Sequence, residues 1–430
     1  MLRNEAVKGN LVRRLFNSFN KLGMAVADQA VVSTGNFLMS LLIARFLGVH
    51  TFGIFSVLWY LLVFMQTIQT AILLSPMLTV GPKMEGDTAE YYSVTQTLQI
   101  LVACALALAA MGVVIYAGPV LGICAPSRKL VFLFAGLIAV AQLHEFFRCY
   151  CYARELAHIA FRIDLVRYSS QFVLFGLLIV YGNFSLSHSL IAISLSIMLG
   201  ITAMFGHLPR FIWTRQALTL VYQRHLNISK WLMPASIIAW LSNNIFIFLS
   251  GGLLGPEAVG AMRASQNMIG ATHVFFLAMD RWGNVRMAQN FAEKGIASMH
   301  LLMRKIQLIL GGTTACVVLL LVLPGGFWLN LFYGSAYKPY AWMMTCYGAV
   351  YLMMAVNAPY RYALNAVEKL KPVFLGDGLA AVFSACAVYP LLQYYHEVGA
   401  MAGTFCCQIL SFLVMSLSWR ALIKCKMPGL

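Results

Sequence analysis

The chain has 430 residues, of which 61% are hydrophobic and 10% are charged, whereas a soluble domain has about 25% charged residues. Its formal net charge is +16, from 30 Lys and Arg against 14 Asp and Glu. This composition excludes a soluble fold, because such a fold could not bury so much apolar surface. It indicates an integral membrane protein.

Twelve stretches are long and apolar enough to cross a hydrocarbon core about 30 Å thick. The fifth has the weakest pattern, because Arg162, Asp164 and Arg167 crowd its beginning. The predicted fold class is therefore an all-α polytopic membrane protein with about 12 transmembrane helices. In chain order the predicted spans are 24–47, 52–80, 92–116, 130–150, 165–181, 186–205, 231–254, 258–279, 306–323, 340–364, 373–394 and 399–422.

The segments between these spans define the predicted domains. Residues 1–23 are basic and have apolar side chains at helical spacing, which fits an amphipathic helix on the inner surface or, equally, a basic tail without structure. They lack the cleavage site of a signal peptide. Six-helix bundles are expected at 24–208 and 231–423, joined by a basic cytoplasmic connector at 209–230 and followed by a cytoplasmic tail at 424–430.

The basic residues indicate the topology. Cytoplasmic loops of membrane proteins retain Lys and Arg, so we place the N-terminus inside. Of the Lys and Arg outside the spans, only Arg128, Lys129 and Lys338 then fall on the outer side. Both termini are expected to be cytoplasmic, and the positive charge needs no nucleic acid as a partner. The ten cysteines lie mostly within spans and have no zinc-ligand spacing, so no metal or other cofactor is expected.

The two halves of the chain share two stretches that align without gaps. Residues 47–53, LGVHTFG, match residues 254–260, LGPEAVG, at an offset of 207, and the glycines suit a tight turn with positive φ. At an offset of 213, five residues near the junction of the fourth and fifth spans of each half also match. These predict two parallel six-helix repeats around a central cavity. The second set is Arg148, Ala153, Glu155, Phe161 and Asp164 with Arg361, Ala366, Glu368, Phe374 and Asp377.

Three segments carry a resemblance to a known family. They are IARFLGVHTFGIFSVL from Ile43, GLLGPEAVGAMRASQ from Gly252 and YYHEVGAMAGT from Tyr394. With the number of spans, they resemble the polysaccharide flippases, also called Wzx-type or O-antigen flippases, of the multidrug/oligosaccharidyl-lipid/polysaccharide exporter superfamily. The resemblance implies a bacterial inner-membrane protein that moves a polyprenyl-pyrophosphate-linked oligosaccharide to the outer leaflet, with Na⁺ or H⁺ as coupling ion. It also implies a polysaccharide polymerase or glycosyltransferases as partners beside membrane lipid, and no catalysis by the chain itself.

Ionisable and amide side chains within spans are the candidate site residues, because they are costly in a membrane. Arg45 and Arg263 lie in the duplicated hairpins and suit phosphate, although Arg45 could instead extend to outer head groups. Amides suit sugar hydroxyls or join helices, and those expected in the cavity are Asn36, Gln66, Gln266 and Asn267. The candidates for ion coupling are Asp28, Glu145 and Asp280. Alternatively, Glu145 pairs with Arg148, and Asp280 belongs to a solvated helix end.

Two other functions fit the sequence less well. A cation-coupled multidrug exporter of the same superfamily would have the same fold but an acidic, aromatic pocket, whereas the hairpin spans here contain Arg. A membrane-embedded polysaccharide polymerase or glycosyltransferase would need a sizeable outer loop or an outer carboxylate site. The longest outer segment, 324–339, is short and has no carboxylate. A scaffold without transport activity also remains open.

Overall fold

A computed structural model of the chain describes residues 2–84, 88–123, 126–208 and 214–426, with side chains from residue 23 onward except at a few positions. All regular secondary structure in these ranges is helical. The helices are α1 Leu2–Gln69, α2 Ser75–Val80, α3 Thr88–Tyr116, α4 Arg128–Ala153, α5 Ala157–Val180, α6 Leu186–Thr202, α7 Arg215–Leu253, α8 Pro256–Ile269, α9 His273–Val322, α10 Gly325–Tyr333, α11 Ala341–Ala366 and α12 Lys371–Lys426.

Three of these helices change direction sharply inside their length. The bends lie at Gly48 in α1 (φ 75°), at Gly295 in α9 (φ 74°) and at His396 in α12 (φ 50°). Predicted spans one and two therefore share α1, and spans eleven and twelve share α12. A π-helical turn, Thr70–Leu74, continues α1 into α2 within the second span.

The predicted fold class is confirmed. Seven helices of the described chain are long and apolar enough to cross a membrane, and a shorter apolar helix, Leu186–Thr202, covers the sixth predicted span. The chain is a multi-pass membrane protein. The amphipathic surface expected within residues 1–23 concerns side chains outside those that the structure describes, as do residues 209–213 of the connector and 427–430 of the tail.

The chain forms two compact units whose limits differ from the two halves of the sequence. Unit 1 comprises Met1–Ile43, Leu62–Tyr116 and Pro126–Met233. Its core brings α2, α3, α4 and α5 together around buried aromatic and aliphatic side chains, among them Met77, Tyr92 and Phe146.

Unit 2 comprises Ala44–Leu61, Ala117–Ala125 and Pro234–Leu430, so it includes the tip of the first hairpin. Helix α11 is central to it and packs against α8, α9 and α12. One buried cluster, which includes Met303, Tyr362 and Trp419, joins α9, α11 and α12.

The backbone repeats itself at the positions that align in the sequence. Gly48 and Gly255 have the same extended conformation with positive φ (75° and 94°). Glu155 and Glu368 both lie in the left-handed region, with φ of 59° and 58°. Since a residue other than glycine rarely adopts positive φ, its recurrence at matched sites supports the predicted duplication.

The turns at Glu155 and Glu368 also have matching hydrogen bonds. The amides of Glu155 and Leu156 donate to the carbonyls of Tyr152 and Cys151. In the second copy, Glu368 and Lys369 donate in the same way to Asn365 and Leu364, at the same offset of 213. Each turn therefore ends its helix with a Schellman motif.

Candidate functional site

A buried cluster of charges in unit 1 is organised around Arg148 of α4, and we call it the Arg148 cluster. Three carboxylates contact this guanidinium: Asp28 Oδ2 at 3.0 Å from Nη2, Glu145 Oε2 at 3.0 Å from Nη1 and Asp164 Oδ2 at 2.7 Å from Nε. The side chains of Asp28 and Asp164 are 1% and 0% exposed. Tyr152 donates a further hydrogen bond to Asp28 Oδ2, at 2.5 Å.

Helical spacing brings Glu145 and Arg148 together, and the fold brings the other two carboxylates to them. Glu145 and Arg148 are three residues apart, so they lie on one face of α4. Asp28 comes from α1 and Asp164 from α5, which returns along α4 after the turn at Glu155. Buried charges are stable only when they are paired, and one Arg with five N–H donors can bind several carboxylates at once.

The Arg148 cluster contains three carboxylates, two guanidinium groups and one imidazole. His144 Nε2 lies 3.2 Å from Asp164 Oδ1, and Arg167 Nη1 lies 3.5 Å from His144 Nδ1. With His144 neutral, the carboxylates of Asp28, Glu145 and Asp164 exceed the two guanidinium groups by one charge. Moreover, Asp28 Oδ1 has no hydrogen-bond partner among the described residues. One more proton or a monovalent cation would balance this excess negative charge.

Two amides of α1 in unit 1 bind neighbouring helices. Asn36 Oδ1 accepts a hydrogen bond from the Tyr168 hydroxyl at 3.1 Å. Gln69 is fully buried, and its Nε2 donates to Gln99 Oε1 at 2.9 Å and to the Gln142 carbonyl at 2.7 Å. Asn36 and Gln69 therefore join α1 to α3, α4 and α5. Gln66 is half-buried, and its place in the cavity stays a prediction.

Arg263 of α8 has polar neighbours within unit 2. Its Nη1 donates to the Tyr60 hydroxyl at 3.2 Å and to Gln266 Oε1 at 3.1 Å, and Tyr60 donates to the same Gln266 oxygen at 2.8 Å. The guanidinium also stands over the Tyr60 ring, 5.0 Å from its centre. Across the described residues, no Asp or Glu forms an ion pair with Arg263.

Tyr347 adds a further polar group near Arg263. Its side chain is fully buried, interacts electrostatically with Arg263 and has a hydroxyl with no hydrogen-bond partner in the described part of the chain. Neighbouring Asn267 has interactions of its own. A guanidinium without a carboxylate partner and a hydroxyl without a hydrogen-bond partner are both groups that bind anions.

The tips of the two duplicated hairpins contact each other inside unit 2. A Cβ atom on Gly53 would overlap the Pro256 carbonyl oxygen, and one on Gly260 would overlap the Val49 carbonyl oxygen. Val49 and Pro256 are themselves related by the offset of 207, so the contact is reciprocal. Glycine at both positions allows the two backbones to approach this closely.

Arg45 has partners different from those of Arg263. Its side chain is exposed, and Nη1 donates to the carbonyls of Leu331 and Phe332 at 2.5 and 3.3 Å. Those carbonyls belong to the last turn of α10, so Arg45 satisfies a helix C-terminus. Its predicted contact with substrate remains a prediction.

Asp280 lies beside a cavity of about 280 Å³ within unit 2. Asp280 accepts a hydrogen bond from Tyr362, and the cavity also contains the ion pair of Arg361 with Asp377. This pair has two contacts, Nη2–Oδ1 at 2.8 Å and Nη1–Oδ2 at 3.0 Å. Across the described residues, no group of three or more His, Cys, Asp or Glu side chains could hold a metal ion.

The comparisons with known proteins show similarity in structure only. No family model and no curated protein matches the sequence. A lipid II flippase MurJ in an inward closed conformation matches with a TM-score of 0.63 at 11% identity, over 93% of this chain and 87% of that chain. An inward-facing MATE family transporter of the MOP superfamily matches with a TM-score of 0.64 at 15% identity, over 93% and 99%. A Vibrio cholerae MATE transporter matches with a TM-score of 0.62 at 13% identity, over 94% and 96%.

The chain has the fold of MOP superfamily transporters. The predicted relation to this superfamily is thus supported at the level of fold, while the polysaccharide flippase family within it stays a prediction. Both a lipid flippase and multidrug transporters have this fold, so the fold alone does not identify the substrate.

The sequence indicates some residues of these sites and not others. Glu145, Arg148 and Asp28 are ionisable residues of predicted spans, and the structure brings them together. Asp164 was matched only as part of the duplication, because the fifth span was predicted to begin at 165, whereas α5 begins at Ala157. Tyr60 and Tyr347 were missed, since a tyrosine in an apolar span gives no polar signal.

Proposed function

We propose that the chain is a flippase that moves a polyprenyl-pyrophosphate-linked oligosaccharide from the cytoplasmic to the outer leaflet for surface polysaccharide synthesis. The observation that carries this proposal is Arg263, a half-buried guanidinium without a carboxylate partner among the described residues. A pyrophosphate is a concentrated anion, and the planar guanidinium binds phosphate oxygens through paired hydrogen bonds.

The chemistry around Arg263 fits an anion better than a cationic drug. Tyr60 and Tyr347 can donate hydroxyl hydrogens to phosphate oxygens, and Gln266 can donate through its amide nitrogen. A cationic drug would meet a fixed positive charge, which is repulsive at short range in a medium of low dielectric. The matched MATE transporters keep the alternative of a cation-coupled multidrug exporter open, and the experiment below separates the two.

The Arg148 cluster is the proposed coupling site, and its ion is Na⁺ or H⁺. Its excess of one carboxylate and the unpartnered Asp28 Oδ1 leave a place for one positive charge. Occupation of that place would change the net charge of a buried cluster, so the stability of one conformation relative to another would change with it. The protein would lie in a bacterial inner membrane with both termini cytoplasmic and would work beside a polysaccharide polymerase or glycosyltransferases.

The test is to delete the protein in its native cell and to label sugars on intact and lysed cells. We expect loss of surface polysaccharide, with complete lipid-linked oligosaccharide trapped on the cytoplasmic side. Complete units that reach the outer face unpolymerised would assign a polymerase instead. Normal polysaccharide with increased sensitivity to cationic drugs would assign a drug exporter.

Complementation with Arg263 variants then tests the anion site. Arg263→Gln removes the charge and should abolish export, while Arg263→Lys should restore part of it, because it keeps the charge but loses the paired geometry. Arg128→Gln, an exposed arginine at the beginning of α4, is the matched control and should export normally. Normal export by Arg263→Gln at wild-type protein level would overturn the anion site.

A further inference from the structure

The cavity of unit 2 occupies the place that the Arg148 cluster occupies in unit 1. At the offset of 213, Arg148 and Asp164 correspond to Arg361 and Asp377, and both pairs are ionic. The other neighbours are not retained. Glu145 and Arg167 correspond to Ala358 and Ala380, which both line the cavity.

The exchange of long side chains for alanine explains the empty volume. In unit 1, Glu145 and Arg167 fill the space around the ion pair, whose Asp164 is 0% exposed. In unit 2, the Arg361 and Asp377 side chains are 39% and 23% exposed. The cavity therefore has the ion pair of the Arg148 cluster without the large side chains around it.

The polar lining of this cavity is incompletely satisfied. Asn357, which corresponds to His144, is 6% exposed, and its Oδ1 has no hydrogen-bond partner among the described residues. Gln408 of α12 donates to Asn243 of α7 at 3.3 Å, and Ser411 donates to Asp377 Oδ1 at 3.2 Å. A buried amide oxygen without a donor costs free energy, which a ligand with hydroxyl groups would recover.

We propose that this cavity binds one sugar residue of the lipid-linked oligosaccharide, an inference that rests on the proposed function. Asn243, Asn357 and Gln408 can each donate and accept hydrogen bonds, as sugar hydroxyls do. Asp280 and Arg361 add a charged acceptor and a charged donor, and Phe276 supplies an apolar wall. Pockets for drug-sized ligands have volumes of about 300–1,000 Å³, so about 280 Å³ holds a single ring rather than a whole oligosaccharide.

A cation fits this lining less well than a sugar. Asp377 is already neutralised by two contacts with Arg361, and the guanidinium faces the same cavity. That leaves Asp280 as the one uncompensated carboxylate among the described lining residues. A phosphate group would be repelled by the carboxylates of Asp280 and Asp377.

The experiment measures protection of a cysteine placed in the cavity. Ala358→Cys is introduced into the full chain, which is purified in detergent and treated with a small neutral alkylating reagent, and peptide mass spectrometry reads the modification of this cysteine. The probes are methyl glycosides of glucose, galactose, mannose, fucose, N-acetylglucosamine and glucuronic acid. Sodium chloride is compared with potassium chloride to test binding of Na⁺. Sodium phosphate is compared with sodium chloride to test binding of phosphate.

We expect at least one glycoside to slow the alkylation saturably, by about threefold at a concentration of about twice its Kd, since protection follows 1 + [L]/Kd. A second change, Ala380→Leu, should remove the protection, because it refills the cavity as Arg167 does in unit 1. Ala402→Leu, at an exposed site on α12, is the matched control and should keep it. Protection by Na⁺ or phosphate alone, no protection by any glycoside, or no alkylation of the cysteine without ligand would each overturn the proposal.

The failure of this inference can be told apart from the failure of the proposed function. If glycosides do not protect but Arg263→Gln still blocks export, the sugar site is wrong and the flippase stands. If glycosides protect but export does not depend on the protein, the cavity binds sugar and the flippase assignment is wrong.

Discussion

The two matched ion pairs, Arg148–Asp164 and Arg361–Asp377, occupy equivalent positions but have different surroundings. In unit 1, Asp28 and Glu145 also contact the arginine, and the cluster is closed. In unit 2, alanines replace the surrounding charged side chains, and the pair lines an open cavity. We propose that the buried first pair takes part in ion coupling and that the partly exposed second pair binds a polar ligand.

The comparison predicts first that the two arginines differ in what they contribute to stability. Arg148→Ala removes the guanidinium that contacts the buried Asp28 and Asp164 and should cost about 3–5 kcal/mol of folding free energy. Arg361→Ala should cost about 1 kcal/mol or less, because that pair is partly exposed and screened. Thermal denaturation in detergent, together with the yield of monodisperse protein, measures both effects. Equal losses for the two variants would break the comparison.

The contact between the hairpin tips is a second duplicated feature. Substitution of either glycine should lower the stability of the protein by a similar amount. Gly53→Ala and Gly260→Ala each place a methyl group on a facing carbonyl and should cost about 1–3 kcal/mol, the usual range for overpacking. Gly112→Ala in α3 is the control, since a Cβ there meets nothing within 4 Å. Denaturation midpoints compare the three variants. A large difference between Gly53→Ala and Gly260→Ala would show that the contact is not reciprocal.

Hydropathy and the glycine pairs were enough to predict an all-helical chain and the turns at Gly48 and Gly255. They report local properties: an apolar run of membrane length, and a backbone conformation that only glycine adopts easily. The Arg148 cluster could be predicted only in part, because Asp28 and Arg148 are 120 residues apart and nothing local shows that they meet. The cavity depends on Ala358 and Ala380, which in a single copy look like ordinary packing residues. Only the comparison with Glu145 and Arg167 shows that volume is missing there.

A third prediction separates ion coupling from sugar binding. Asp28→Asn keeps the shape of the side chain but removes one carboxylate from the Arg148 cluster, so export in vesicles should lose its response to an imposed Na⁺ or pH gradient. Under the imposed gradient, we expect the export rate of Asp28→Asn to be at least about tenfold lower than that of the wild type, which is equivalent to about 1.4 kcal/mol. Asp280→Asn should lower export but keep the response to the gradient, because Asp280 lies at the cavity of unit 2. An unchanged gradient response in Asp28→Asn would remove the coupling role from this cluster.

The smallest effect tests the duplication itself, at the turns where Glu155 and Glu368 have positive φ. Glycine adopts this conformation without the cost that an L side chain pays, so Glu155→Gly and Glu368→Gly should each stabilise the protein by about 0.5–1 kcal/mol. The gain should be smaller at Glu155, because that residue has further interactions that the substitution removes. Lys305→Gly, at an exposed position inside α9, should instead lower stability by about 1 kcal/mol, which shows that the gain comes from the turn and not from glycine as such. Destabilisation by either glutamate substitution would mean that the side chain of that glutamate stabilises the turn. The two turns would then have the same backbone conformation but different stabilising interactions.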